Sequence, residues 1–67
     1  MNVGAALKAA REKAGLSQAE ASRRSGVHWV HLSRLEGGKV NPTVRTLVRL
    51  AEVYGVEVGQ MLDTPTP

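Results

Sequence analysis

One glycine, Gly26, separates two short helical patterns in QAEASRRSGVHWVHLSRLEG, residues 18–37, and that spacing limits the fold more than any other feature. The first pattern runs from Gln18 to about Ser25, the second from about His28 to Glu36. So short a connection cannot lay the two helices antiparallel, and they must cross steeply. Gly26 can adopt a positive φ without strain, as a tight turn there requires. The second predicted helix is two-sided. At about 100° per residue, Leu32 and Leu35 fall on one side while Trp29, Val30, Ser33 and Arg34 fall roughly opposite. Apolar area left in water costs about 25 cal/mol per Å², so an outward Trp29–Val30 pair with Arg34 one turn on reads as a contact face.

Steeply crossed helices with the second presented outward form a helix-turn-helix, whose second helix enters the major groove of DNA. The marks Leu16-Ser17-Gln18, Gly26-Val27, Leu32-Ser33-Arg34-Leu35-Glu36, Gly38-Lys39, Asn41-Pro42-Thr43 and Gly55-Val56 follow in order. With them the chain resembles the Cro-type, lambda-repressor-like helix-turn-helix family, also called the xenobiotic-response-element type, over about residues 3–62. The resemblance implies an all-α fold, a compact bundle of about five short helices. The length allows one domain over residues 1–67, with the helix-turn-helix at 18–37, and the prolines of the TPTP end make a loose tail expected from about residue 63.

The chain read in order supplies those helices. Val3, Leu7, Ala10 and Ala14 recur at intervals of four, three and four, drawing an apolar stripe along a first helix that ends at Gly15. Ser17 is a good N-cap for the second helix, and Glu20 three residues on completes a capping box. His28 is a poor cap by side-chain chemistry, so a second role, a hydrogen bond to phosphate, is expected of it. Gly37-Gly38 ends the third helix; Pro42 keeps the preceding backbone non-helical and Thr43 caps the fourth. Val44, Leu47, Val48, Leu50, Ala51 and Tyr54 are expected to form a broad core face. Gly55 breaks that helix, and Val56, Val58, Met61 and Leu62 define a short fifth one.

The family resemblance assigns roles. Its base-facing positions fall on Trp29, Val30, Ser33 and Arg34; Arg34 could bridge the O6 and N7 of guanine or take a phosphate, and Val30 could pack on a thymine methyl. The phosphate-facing positions fall on Ser17, Gln18, His28 and His31, then on Lys39, Asn41, Thr43 and Arg45 around the loop after the third helix; for His31 an exposed neutral His is an equal alternative. Gln18 also braces the reading helix in the family; a plain surface Gln is the alternative. For Arg23 and Arg24 a solvated helix face stands level with a contact role, and Arg49, a turn beyond Arg45, is read as solvated. Arg11 and Glu36 are expected to form a structural ion pair. The C-terminal end, Val56, Val58, Met61 and Leu62, either pairs two subunits or closes the core of a monomer; a homodimer on a palindromic operator is the favoured reading.

Four departures from the family pattern stand out. Ala21 and Ser25 take places where a large apolar residue is usual, and Ser22 a place where Ala is usual. Either the helices pack closer or a bulky neighbour fills the gap. Trp29 also replaces a more usual polar residue, and its indole would line the sugar–phosphate wall or fold back over Ser25.

Charge and composition narrow the function. Residues 1–50 carry all nine basic residues against three acidic ones, which leaves +6, while the remainder carries three acidic residues and no basic one. A basic body fits a polyanion. With no Cys there is neither a disulfide nor a cysteine-held zinc, and His28 and His31 lack a third ligand, so no metal and no cofactor is expected. No thiol nucleophile exists, the only Asp lies in the tail, and no His–carboxylate pair shares a plausible cleft, so an enzyme is not expected. No apolar run approaches the ~18 residues of a membrane span, and the expected location is the cytoplasm, at the nucleoid of a bacterium or phage host. The expected function is a sequence-specific double-stranded-DNA-binding transcriptional regulator, a repressor. The alternative is a protein-docking or antitoxin module that uses the Trp29–Val30 face.

Overall fold

The computed structural model describes residues 3–59, and among them the secondary structure is helical throughout. The helices are α1 (Val3–Lys13), α2 (Gln18–Ser25), α3 (Trp29–Glu36) and α4 (Val44–Tyr54). Four complete helices thus stand where about five were expected. Val58 and Gly59 have helical backbone at the edge of the described residues; Met61, Leu62 and the tail from 63 lie outside them.

Local chemistry sets each boundary. Ser17 and Glu20 form a complete capping box at the start of α2, and Thr43 Oγ1 accepts from the Thr46 N–H at the start of α4. Gly26 sits at φ 79°, and its N–H donates to the Ser22 carbonyl, closing α2 with a left-handed residue. At the end of α3 the left-handed residue is Gly38, with Gly37 still right-handed. The Lys39 N–H reaches back to the Arg34 carbonyl and the Gly38 N–H to the Leu35 carbonyl, the paired bonds of a Schellman ending.

The core gathers Leu7 from α1, Ala21 from α2, Leu32 and Leu35 from α3, and Leu47, Leu50, Ala51 and Tyr54 from α4, with Val27 pointing in from the turn. α3 packs against both α1 and α2, while α4 packs against α1 and α2. The outward side of α3 is therefore left uncovered by the other helices.

The apolar pattern overstates the core at three positions. Ala14 lies on the angular stripe of α1 but beyond its last residue, so it is exposed. Val44 is 74% exposed because it occupies the first turn of α4, a full turn before Leu47, where the core begins. Val48 is 41% exposed, about 100° around the helix from Leu47 and at the edge of the buried stripe. Among the described residues, no helix is long and apolar enough to cross a membrane.

Candidate nucleic-acid interface

The C-terminal end of α3 is fixed by one carboxylate. Glu36 Oε2 accepts from Arg11 Nε at 2.7 Å, and its Oε1 accepts from Arg11 Nη2 at 3.1 Å and from Gln18 Nε2 at 3.0 Å. Arg11 Nη1 donates in turn to the Leu16 carbonyl at 2.8 Å. One charge cluster therefore joins α1, the first turn of α2 and the last residue of α3. The Glu36 side chain is only 3% exposed and that of Arg11 10%. The fork geometry, with the Gln18 amide as a further donor to Glu36 and the Leu16 carbonyl as a further acceptor from Arg11, answers each charge that burial strips of water. The hydrogen bond to Glu36 holds the Arg11 proton more tightly than usual, against the opposing effect of burial. Beneath them, burial pushes the Tyr54 hydroxyl up to about 12, and the Glu36 charge adds to the shift.

A second constraint at this end has no counterpart in the apolar pattern. Gly4 is buried on α1 at the point where its backbone meets the end of α3. A Cβ there would collide with the Leu35 carbonyl oxygen and lie 3.0 Å from that of Glu36. Glycine is needed because two backbones approach closely, not because of a turn. The available signal was positional: Gly4, Leu7 and Arg11 follow at intervals of three and four and share one helix face.

The turn between α2 and α3 is built from hydroxyls. Ser22 Oγ donates to the Val27 carbonyl at 2.6 Å, and Ser25 Oγ accepts from the Val27 N–H at 3.1 Å. This accounts for the small polar residues there. Ala21 and Ser25 are buried, and the two serines satisfy the turn backbone that a larger apolar residue could only cover. Trp29 does not fold over Ser25. It stands 58% exposed, its ring stacked on that of His28 at 6.2 Å between centroids.

His28 corrects the sequence reading, because it does serve as the N-cap of α3. Its Nδ1 accepts from the Val30 N–H at 3.2 Å. In the neutral ring that leaves the proton on Nε2, a donor on the far side of the ring. Exposure fits the outward face: Trp29, Val30 (36%), Ser33 and Arg34 are all exposed, opposite the buried Leu32 and Leu35.

Around this face the proposed phosphate contacts divide into two groups. His31, Lys39, Asn41 and Arg45 are exposed. Ser17, Gln18 and Thr43 already have structural partners: Ser17 its capping box, Gln18 Glu36, and Thr43 the start of α4. The Ser17 backbone N–H, then its hydroxyl, hold the Glu20 carboxyl below the usual carboxylate range. Arg49, read as solvated, is exposed and also reaches toward the turn, its Nη1 3.7 Å from where a Gly26 side chain would start. Val56 and Val58 are half-buried against the core, while Met61 and Leu62 lie outside the described residues. Among the described residues, no three potential ligands gather as a metal site.

The helix-turn-helix domain family matches residues 2–64. The HTH-type transcriptional regulator y4dJ of Sinorhizobium fredii is 44% identical over 64 residues, which cover 96% of this chain and 82% of the relative. PuuR of Escherichia coli is 36% identical over 62 residues, 92% of this chain and 34% of PuuR. ImmR of Bacillus subtilis is also 36% identical over 62 residues, covering 49% of its length. Both are named HTH-type transcriptional regulators, and this chain spans only a third to a half of each. The chain belongs to the helix-turn-helix domain family, and its class is that of DNA-binding transcriptional regulators.

Proposed function

We propose that this chain recognises a specific operator in double-stranded DNA by laying α3 in the major groove, and that occupying the operator represses transcription. One observation carries the reading: α3 is locked at its C-terminal end by Glu36 while Trp29, Val30, Ser33 and Arg34 stand exposed on its outer side. A rigidly held helix with an unpaired outer face is what direct readout requires. The exposed His31, Lys39, Asn41 and Arg45, with the Nε2–H of His28, would supply phosphate contacts, and Ser17, Gln18 and Thr43 would present the N-terminal N–H groups of their helices.

A single helix touches too few base pairs to define a site among many competitors, and two heads on a palindrome double the discrimination. The protein is accordingly a homodimer, joined through its C-terminal end at Val56, Val58, Met61 and Leu62. It acts where the chromosome lies, in the bacterial cytoplasm. The exposed Trp29 and Val30 also favour a second reading, in which this apolar pair docks a protein partner.

The test uses the single Trp. Random duplex DNA is titrated into the protein at low and moderate salt while Trp29 emission and the anisotropy of labelled DNA are followed. The DNA reading expects an emission change that weakens steeply as salt rises. No change in either signal would move the weight to the docking reading. On a selected operator, Arg34→Ala should lose more affinity than on random duplex; equal losses would make Arg34 a phosphate contact.

A further inference from the structure

The outer face of α3 has an unbalanced chemistry. Its sequence, WVHLSRLE, has no Asn or Gln, and its one carboxylate is Glu36. Glu36 is held by Arg11 and Gln18 with its side chain 3% exposed, so it cannot accept from a base. The amide fork that matches the N6 and N7 of adenine is therefore missing, as is the carboxylate that accepts from the N4 of cytosine. Ser33 and His31 can donate or accept and add no bias. What remains is one cation fork, Arg34, and an apolar pair, Trp29 and Val30, at the N-terminal turn.

Resting on the DNA-reading proposal above, we infer that this face selects its operator by the C5-methyl group of thymine beneath Trp29–Val30 and by guanine beneath Arg34. In the major groove the thymine methyl is the base-edge feature that an apolar side chain can read, and the paired O6 and N7 acceptors of guanine are the match for an arginine fork. Val30 and Arg34 are four residues apart, about 6 Å along the helix. At about 3.4 Å per base along a strand, the methyl and the guanine lie about two base steps apart.

The experiment isolates the methyl on the DNA, so no protein variant has to fold. The full chain selects sites from a random duplex pool, and each thymine of the enriched site is then replaced by deoxyuridine, which keeps every hydrogen bond and removes only the methyl. The expected result is a loss of about fourfold for each methyl buried against the protein, confined to one or two positions near a guanine. Val30→Ala, at an exposed position, should shrink that loss at the same positions. Equal binding of thymine and deoxyuridine sites at every position would overturn the inference and leave the DNA reading intact. If no site is enriched and no duplex is bound, the DNA reading fails and this inference fails with it.

Discussion

The two ends of α3 are held by very different means. At its C-terminus, a buried carboxylate gathers two side chains from two other helices, and the α1 backbone at Gly4 presses directly on the α3 carbonyls. At its N-terminus, one exposed imidazole caps the helix, and the neighbouring Trp29 and Val30 face outward. The contrast shows how a small domain holds a helix with one exposed side: rigidity is concentrated at the C-terminal end of α3, and a single exposed cap holds the N-terminal turn.

The comparison breaks first at Glu36. Glu36→Ala leaves the buried Arg11 charge without its carboxylate and with only the Leu16 carbonyl to answer it, a loss of about 3–5 kcal/mol. At roughly 0.05–0.15 kcal/mol per residue, a chain of this length has only about 3–10 kcal/mol of total stability, so this variant should be largely unfolded or melt far lower. Urea and thermal unfolding measure it; an unchanged melting temperature would show that the cluster does not hold α3. The next effect is smaller. Gly4→Ala forces a methyl against a backbone carbonyl that cannot rotate away, and should cost about 1–3 kcal/mol in urea unfolding despite the better helix propensity of alanine.

Gly4 also marks the boundary of what the sequence makes legible. Turns, caps and the inner face of α3 can be read because each rests on residues a few positions apart: Ser17 with Glu20, Gly26 alone, Leu32 with Leu35. A close approach between helices 31 residues apart leaves only the helix face that Gly4 shares with Leu7 and Arg11, and that spacing does not say what the face meets. Nor can periodicity tell where a core ends in space, and so Ala14, Val44 and Val48 read as core yet are exposed. The outer face of α3 was legible as a set of exposed residues. The capping role of His28 was not, because it depends on a ring rotamer rather than on residue type.

Tyr54 reports on the locked end through pH. It is the only tyrosine, and its hydroxyl is raised from 10.0 to about 12 by burial, with the Glu36 charge contributing. The folded state therefore holds this proton more tightly than the unfolded chain does. The resulting stability is fully present below about pH 10 and is lost as pH rises from there through about 12. Tyrosinate absorbance should show a midpoint near 12 in the folded protein and near 10 in urea. A midpoint near 10 in both would mean that water reaches the hydroxyl and that the locked end is looser than its geometry. Tyr54→Phe should remove this part of the alkaline loss.

The smallest effect is expected at the open end. His28→Ala removes one cap acceptor at an exposed site, and should cost about 0.5–1 kcal/mol, well below the Glu36 loss. A loss as large as that of Glu36→Ala would erase the difference between the two ends. His28→Asn separates the two tasks of this side chain. Asparagine is a good cap, so stability should return, but it cannot place a ring N–H where Nε2 stands or stack on Trp29. If His28 also holds a phosphate through Nε2–H, the asparagine variant should bind duplex more weakly although its melting temperature is restored, and with the salt dependence unchanged, because a ring whose Nδ1 accepts the Val30 N–H carries no charge. If binding returns together with stability, His28 acts on DNA only by capping the helix that reads it.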